Sequence, residues 1–566
     1  MSKAYNPPRP WITSYAPGVA EDLGEVTGSL FDVVERSARE YPTAPALEFF
    51  GKTITYAEML VQIERAAEGL RELGVKAGDP VALILPNCPE HIVAFYAVLR
   101  LGAVVVEHNP LYTPRELRKQ FEDHAAKTAI AWNKVVATVQ DFPDDIAVTN
   151  LISVDITKSM PLTTRAILRL PIAKARASRE ALFSPVEGTV SWDKVSSSGR
   201  LPSIWVRPQT SDLAIIQYTS GTTGTPKGAA LTHGNMIANA MQAQAWTPSV
   251  LRGNGCVFYA VLPMFHAYGL TLCVTFAMSM GARLVLFPKF DADMVLEVVK
   301  KRPATVFPLV PPIAERLLAR AKETGTSLEG IKIGVSGAMP LSVELVEPFE
   351  AASGGYLCEG YGLSECSPVL MVNPVADNRK IGSIGLPLPG TEVRIVDLDN
   401  PTVDVPAGSE GELVVRGPQV FSGYYGKPEE TEAVFADGWF RTGDIVRMDP
   451  DGFVTVVDRI KELIITGGFN VAPTEVENVL RQFPGIADVA VVGLPSSRSG
   501  EEVVAAVVLE PGATLDANAL REFGRTILTP YKVPRQFFVV DELPKSMIGK
   551  VLRRQVKQTI QDLLAE

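Results

Sequence analysis

The sequence predicts an α/β chain in three parts. These are a large N-terminal region of parallel-sheet α/β layers, a β-rich subdomain, and a small mobile C-terminal α+β domain. Three observations carry the prediction. Over the first 340 or so residues, short and continuously apolar runs alternate with helical patterns, as strands covered by helices on both faces do. From about residue 390 the runs alternate apolar and polar, with turn residues between them, the pattern of half-exposed strands. Finally, 566 residues at 46% hydrophobic content exceed what one core needs, so two or more domains are expected.

In chain order, YAEMLVQIERAAEGLREL reads as a helix and VALILP (81–86) as the buried strand after it. AFYAVLRLGAVVVEHN reads as helix, then strand. LVLFP (284–288), TVFPLV (305–310) and IKIGVSG (331–337) are further buried strands, separated by the helical ADMVLEVVKK and PPIAERLLARAKE. TEVRIVD, GELVVRG and FVTVVD form the β-rich subdomain, with Pro450-Asp451-Gly452 as one of its turns. Beyond about 460 the order is helix (EVENVLRQF), strand (ADVAVVGLP), strand (EVVAAVVLE) and helix (ALREFGRTIL). We place the large domain at 1–458 and the small one at 462–566, with a hinge near Lys461.

Composition narrows the function. The net charge of −10 argues against a dedicated nucleic-acid binder. Five cysteines without C-x-x-C spacing, in a large chain, predict reduced thiols and a cytoplasmic protein. Five scattered histidines exclude the usual zinc spacings. The N-terminus has no apolar signal core. Cys256 to Ala282 holds no Asp, Glu, Lys or Arg, but Pro263, His266, Gly269 and Gly281 interrupt it, so it reads as buried core and not as a membrane span. Residues 158–179 carry Lys158, Arg165, Arg169, Lys174, Arg176 and Arg179 and no acid. A solvated surface helix is the first reading. Contact with anionic headgroups at the inner face of a membrane is the second.

Five motifs carry chemistry. In YTSGTTGTPKG (218–228), small residues let backbone N–H groups approach an anion, hydroxyls add donors, and Lys227 adds a charge. A preceding strand-like LAIIQ and a following helix-like GNMIANAMQAQAW suggest a strand–loop–helix phosphate site. In EGYGLSE (359–365), glycines flank Tyr361, a plate on which a purine can stack, and Glu365 is a hard oxygen donor suited to Mg²⁺. Asp444 closes DGWFRTGD at what reads as a glycine turn and suits ribose hydroxyls. DRIKELIITGGFNVAPTEVE (458–477) runs from charges through an apolar strand to Gly467-Gly468. LPKSMIGKVLRR (543–554) carries Lys550 after a glycine.

In identity, order and spacing these motifs resemble the adenylate-forming superfamily over residues 28 to 555, and most closely bacterial long-chain fatty-acid–CoA ligases. NPLYTPREL (109–117), EGYGLSECSPV (359–369) and DGWFRTGD leading to GFVTVVDRIKELI carry that finer likeness. The resemblance implies that a fatty acid reacts with ATP to give acyl-AMP and pyrophosphate, and that coenzyme A then displaces AMP. It implies that Thr219, Ser220, Gly221, Thr222, Thr223, Gly224 and Lys227 hold the β- and γ-phosphates. Gly337, Ala338, Gly360, Tyr361 and Gly362 would form the adenine pocket. Ser364 would meet the α-phosphate, Glu365 with Thr219 the Mg²⁺, and Asp444 with Arg459 the ribose. His266 would lie by the reacting carboxylate, with Lys550 bridging carboxylate and α-phosphate. Lys461 would be the hinge about which the small domain turns, bringing Gly467, Gly468 and Phe469 to a CoA tunnel.

There are departures from the family pattern. Ser364 stands for the usual threonine and keeps the hydroxyl. Ile465 stands where aryl-acid relatives carry a lysine. Leu270 stands where one kind of long-chain synthetase has a gating tryptophan. An aryl- or other-acid CoA ligase and an acyl-AMP ligase that loads a carrier protein are the alternatives. Homodimerisation stays open.

Overall fold

The computed structural model describes residues 8–146, 148–202, 204–219, 226–339, 341–398, 400–459, 464–471, 473–496, 498–544, 551 and 553–565. Among them the apolar runs pair into two large sheets. Seven strands form the first, in the order Val190–Ser191, Asn150–Val154, Thr128–Trp132, Pro80–Ile84, Val104–Glu107, Leu213–Thr219, Lys227–Thr232. All neighbours are parallel except the last pair. Nine strands form the second. At its centre Arg283–Leu286, Val257–Ala260, Val306–Leu309, Ile333–Ser336 and Tyr356–Gly362 run parallel. Between such layers the helix Pro89–Arg100 is buried along its whole length, which is why its sequence shows no polar face.

The alternating runs build an antiparallel sheet of Glu392–Val396, Gly411–Arg416, Trp439–Met448, Phe435–Ala436 and Val454–Arg459. A small C-terminal domain follows. Its sheet, from Ile464–Thr466 to Gln536–Val539, carries the helices Pro473–Leu480 and Ala517–Arg525 over its own apolar core. The predicted fold class holds in all three parts.

Three local expectations are corrected. The phosphate-loop motif does not lead into a helix. Lys227 opens a strand that pairs back antiparallel, Thr219 against Lys227. Gly228 makes this possible, because a Cβ there would fall 2.5 Å from Ile216 Cγ2. The helix His233–Trp246 starts only after Thr232, which caps it with Asn235. Asp444 does not end a turn. It lies within the strand Trp439–Met448, just after Gly443 (φ +73°), where the pairing with Gly411–Arg416 shifts register. The basic segment is not one helix but two, Leu162–Leu168 and Ala173–Leu182, because Pro171 cannot continue the first. The uncharged stretch 256–282 is core, as expected: Phe258, Leu270, Cys273 and Ala277 are fully buried. Among the described residues no helix is long and apolar enough to cross a membrane. All five cysteines are buried, and none forms a disulfide.

Candidate active site

Two cavities lie on either side of Gly362–Ser364. The first is apolar and has about 1110 Å³ between its walls, with open solvent at its mouth included. Trp246, Leu272, Phe276, Val306, Ile333, Val335 and Leu388 line it. The second, about 1590 Å³ on the same measure, is polar and reaches Thr219, Lys227, Glu365, Thr442 and Asp444. Both are lined by His266, Gly362, Leu363 and Ser364.

That seam follows from local backbone. Tyr356–Gly362 is the last parallel strand of the nine-stranded sheet, and it turns at once into the short helix Ser364–Cys366. A Cβ on Gly362 would lie 1.9 Å from the Pro368 carbonyl oxygen, so only glycine allows so tight a return. The turn delivers Ser364 and Glu365 to the polar cavity. Glu365 is buried and its Oε1 accepts from Tyr424 Oη at 2.8 Å. Its Oε2 has no partner among the described residues. Burial, with the neighbouring carboxylate second, pushes the Tyr424 hydroxyl far above its ordinary pKa and keeps it a donor. The Lys227 ammonium sits 5.3 Å from the centre of the same ring. Tyr424 thus ties the lysine of one motif to the carboxylate of another.

Asp444 is buried and accepts from Tyr361 Oη. In the antiparallel ladder it stands directly opposite Arg459. Gly337, Ala338, Gly360 and Tyr361 line the apolar cavity, and the Tyr361–Asp444 bond joins them to the polar one. Ala338 holds φ +64°, a left-handed conformation that costs a non-glycine residue about 1 kcal/mol.

His266 belongs to both cavities. Burial pulls its pKa down to about 4, so the ring is neutral at physiological pH. Its Nδ1 accepts from the Tyr268 backbone N–H at 3.4 Å. The neutral ring therefore carries its proton on Nε2, a donor for the cavity. Leu270, the expected gate position, is fully buried in the core. The aromatic side chains that line the apolar cavity are Trp246, Tyr268, Phe276 and Tyr361 instead.

Gly468 lines the apolar cavity and Phe469 the polar one, so the small domain's glycine turn faces both. Gly467 (φ +58°) and Gly468 (φ +81°) both need the freedom of glycine. Ser220–Gly224, Lys461 and Lys550 lie outside the described residues, and of Arg459 only the backbone is described. Sequence reasoning missed three residues of the polar cavity. Tyr424 sits in the undistinguished SGYYG. Gln217, just before the phosphate-loop motif, has a buried Oε1 without a partner among the described residues. Lys532 resembled a surface lysine in TPYKVPR but is buried at the cavity's far end.

The donor set fits a magnesium nucleotide. Glu365 and the Thr219 hydroxyl are hard oxygens, and Lys227 supplies a cation beside them. Among the described residues no group of three or more His, Cys, Asp or Glu could hold a metal ion.

Comparison with known proteins agrees with this geometry. Residues 34–425 match the family described as AMP-binding enzyme, and residues 475–550 match the AMP-binding enzyme C-terminal domain. The chain belongs to the AMP-binding enzyme family. It is 37% identical to a long-chain-fatty-acid–CoA ligase of Bacillus subtilis, over 97% of each chain. Among solved structures it resembles the amide bond synthetase McbA of Marinactinospora thermotolerans, with TM-score 0.79 and 26% identity, covering 94% of this chain and 99% of that one. It also resembles a double mutant of the o-succinylbenzoate CoA synthetase of Bacillus subtilis bound to a product analogue, OSB-NCoA. There the TM-score is 0.76 and the identity 27%, with the same coverage.

Proposed function

We propose that the protein is an ATP-dependent, AMP-forming long-chain-fatty-acid–CoA ligase. One observation carries the reading: an apolar cavity and a polar, magnesium-compatible cavity share His266 and Gly362–Ser364. An alkyl chain in the first would bring its carboxylate to the seam. A nucleotide with its phosphates in the second and its adenine against the Gly337, Ala338, Gly360 and Tyr361 wall of the first would bring its α-phosphate to the same place. A carboxylate oxygen attacks the α-phosphorus, the bond to pyrophosphate breaks, and acyl-AMP forms. The CoA thiol then attacks the acyl carbon, loses its proton, and AMP leaves with the electrons of the carbon–oxygen bond. The 37% identity to a long-chain ligase supports this choice of acid.

In this reading Lys227 and the 219–224 loop hold the outer phosphates. Ser364 holds the α-phosphate, Asp444 and Arg459 the ribose, and Gly337, Ala338, Gly360 and Tyr361 the adenine. Glu365 and Thr219 hold Mg²⁺, which when bound supplies positive charge against the phosphates. His266 donates from Nε2 to the carboxylate. Lys550 neutralises the two approaching anions. Lys461 is the hinge between domains 1–458 and 462–566, and Gly467, Gly468 and Phe469 line the way in for CoA.

The basic segment suits peripheral contact with an anionic bilayer from the cytoplasm. Leu162, Ile167, Leu170 and Ile172 are 77, 57, 46 and 53% exposed among its cations, as an interfacial segment requires. Reversing Arg165, Arg169 and Arg176 should weaken sedimentation with anionic vesicles, and unchanged sedimentation ends that reading. Analytical ultracentrifugation of the same preparation reads whether the chain is a homodimer.

The deciding assay is AMP release from palmitate, ATP and Mg²⁺, with and without CoA. Many turnovers only with CoA are expected. A single burst of acyl-AMP indifferent to CoA would make the protein a carrier-loading ligase. Activity on coumarate and none on palmitate would make it an aryl-acid ligase.

A further inference from the structure

We infer that Lys532 is an interdomain latch, a positioning residue that holds the small domain with its glycine turn against the cavities. The inference rests on the proposed reading, in which one site serves two half-reactions by turning the small domain.

Lys532 belongs to the small domain and is 6% exposed. Its Nζ lies 3.0 Å from both carboxylate oxygens of Glu475, within the small domain. It also lies 2.8 Å from Glu116 Oε1, across the interface on the large domain. Glu116 is already committed. Its Oε2 accepts from the Thr113 backbone N–H at 2.9 Å, which closes the capping box of the helix Pro114–His124. Its Oε1 accepts a second bond across the interface, from Thr529 Oγ1 at 3.0 Å. The Thr113 hydroxyl has one proton. It can serve Glu116 Oε2 or, at 2.7 Å, the Ile527 carbonyl of the small domain.

A buried ion pair adds little net stability against an apolar substitute, but an unpaired buried charge is strongly unfavourable. Such a group therefore selects among arrangements. It is tolerated in the docked orientation and penalised wherever Lys532 and Glu116 separate without reaching water. One contact links the latch to the site. Tyr531, next to Lys532, stacks on Phe469 at 4.3 Å with 16° between the rings. Phe469 follows Gly468, which lines the apolar cavity. Holding Lys532 against Glu116 thus fixes the strand whose turn faces the reacting seam, the placement that the proposed reading pairs with entry of CoA.

The test uses the full-length protein and Lys532→Met, Lys532→Arg, Glu116→Gln and Glu475→Gln. Glutamine is a natural capping-box residue, so Glu116→Gln keeps the helix start while losing the charge. ATP–pyrophosphate exchange with palmitate reads the first half-reaction. Single turnover of palmitoyl-AMP with CoA reads the second. Small-angle scattering without substrates reads domain orientation. Lys532→Met and Glu116→Gln should slow the second half-reaction about tenfold or more, with KM for CoA within about twofold and a clearly smaller loss in exchange, and should broaden the scattering distribution. Lys532→Arg should recover part of the rate. Glu475→Gln, which leaves the interdomain pair intact, should do least.

A raised KM for CoA at unchanged maximal rate would make Lys532 a CoA contact and overturn the latch. Equal loss in both half-reactions, with scattering unchanged, would make it merely structural. If the unaltered protein shows no exchange, the proposed function fails, and scattering still decides the latch.

Discussion

The two cavities that meet at His266 are built in opposite ways. The apolar one takes its walls from many elements: Trp246 from a helix, Val306 and Val335 from parallel strands, Leu272 from the uncharged stretch. No two of these are neighbours in sequence. The polar one takes its main charged and hydroxyl groups from three short motifs, Thr219 and Lys227 from one, Ser364 and Glu365 from another, Thr442 and Asp444 from a third. The first can change volume one residue at a time, which sets which acid is used. The second holds charges at fixed places, which sets what happens to it.

If that division is right, the largest effects come from the polar side. Lys550→Ala should lower ATP–pyrophosphate exchange about a thousandfold, because two anions must then meet without their cation. Thioester formation from supplied acyl-AMP should stay within a few-fold. Loss of both half-reactions together would break the assignment of Lys550 to one of them. Glu365→Gln should follow, with about a hundredfold loss in kcat and a higher Mg²⁺ concentration for half-maximal activity. An unchanged Mg²⁺ requirement would remove Glu365 from the metal.

The apolar side should answer differently. Ala243, on the helix His233–Trp246, faces the apolar cavity. Ala243→Phe should cut kcat/KM for palmitate about tenfold to a hundredfold while leaving octanoate nearly unchanged, since each displaced methylene weighs about 1–3 kcal/mol in such a pocket. Exchange supported by octanoate should match the unaltered enzyme. Equal loss for both acids would mean that the cavity does not measure chain length.

Legibility in the sequence divides along the same line. The strands were readable because a strand covered on both faces must be apolar throughout. The polar site was readable because its groups travel inside motifs such as EGYGLSE. What failed was tertiary. That the phosphate-loop motif folds back as a hairpin depends on Gly228 meeting Ile216, a cross-strand contact. The apolar walls carry no local signal, because a Val facing a cavity and a Val facing a core read alike. Lys532 was invisible for a related reason. A lysine in a loop is ordinarily solvated, and its partners Glu116 and Glu475 arrive only through folding.

The smallest expected effect tests the seam itself. Burial holds His266 near pKa 4, below the ordinary 6.5 of an unfolded chain. A histidine depressed in this way makes folding less favourable as pH falls from about 6.5 towards 4, because the unfolded chain takes up its proton first. Above that window the ring is neutral in the folded enzyme, with Nε2–H facing the cavities. His266→Asn should therefore lower kcat/KM about tenfold by removing an oriented donor, by the same factor at pH 6, 7 and 8. The ratio of unaltered to altered enzyme, plotted against pH, should be a flat line. A ratio that shrinks towards pH 6 would mean that the ring titrates at its ordinary value. Burial would then not hold the ring neutral where the two cavities meet.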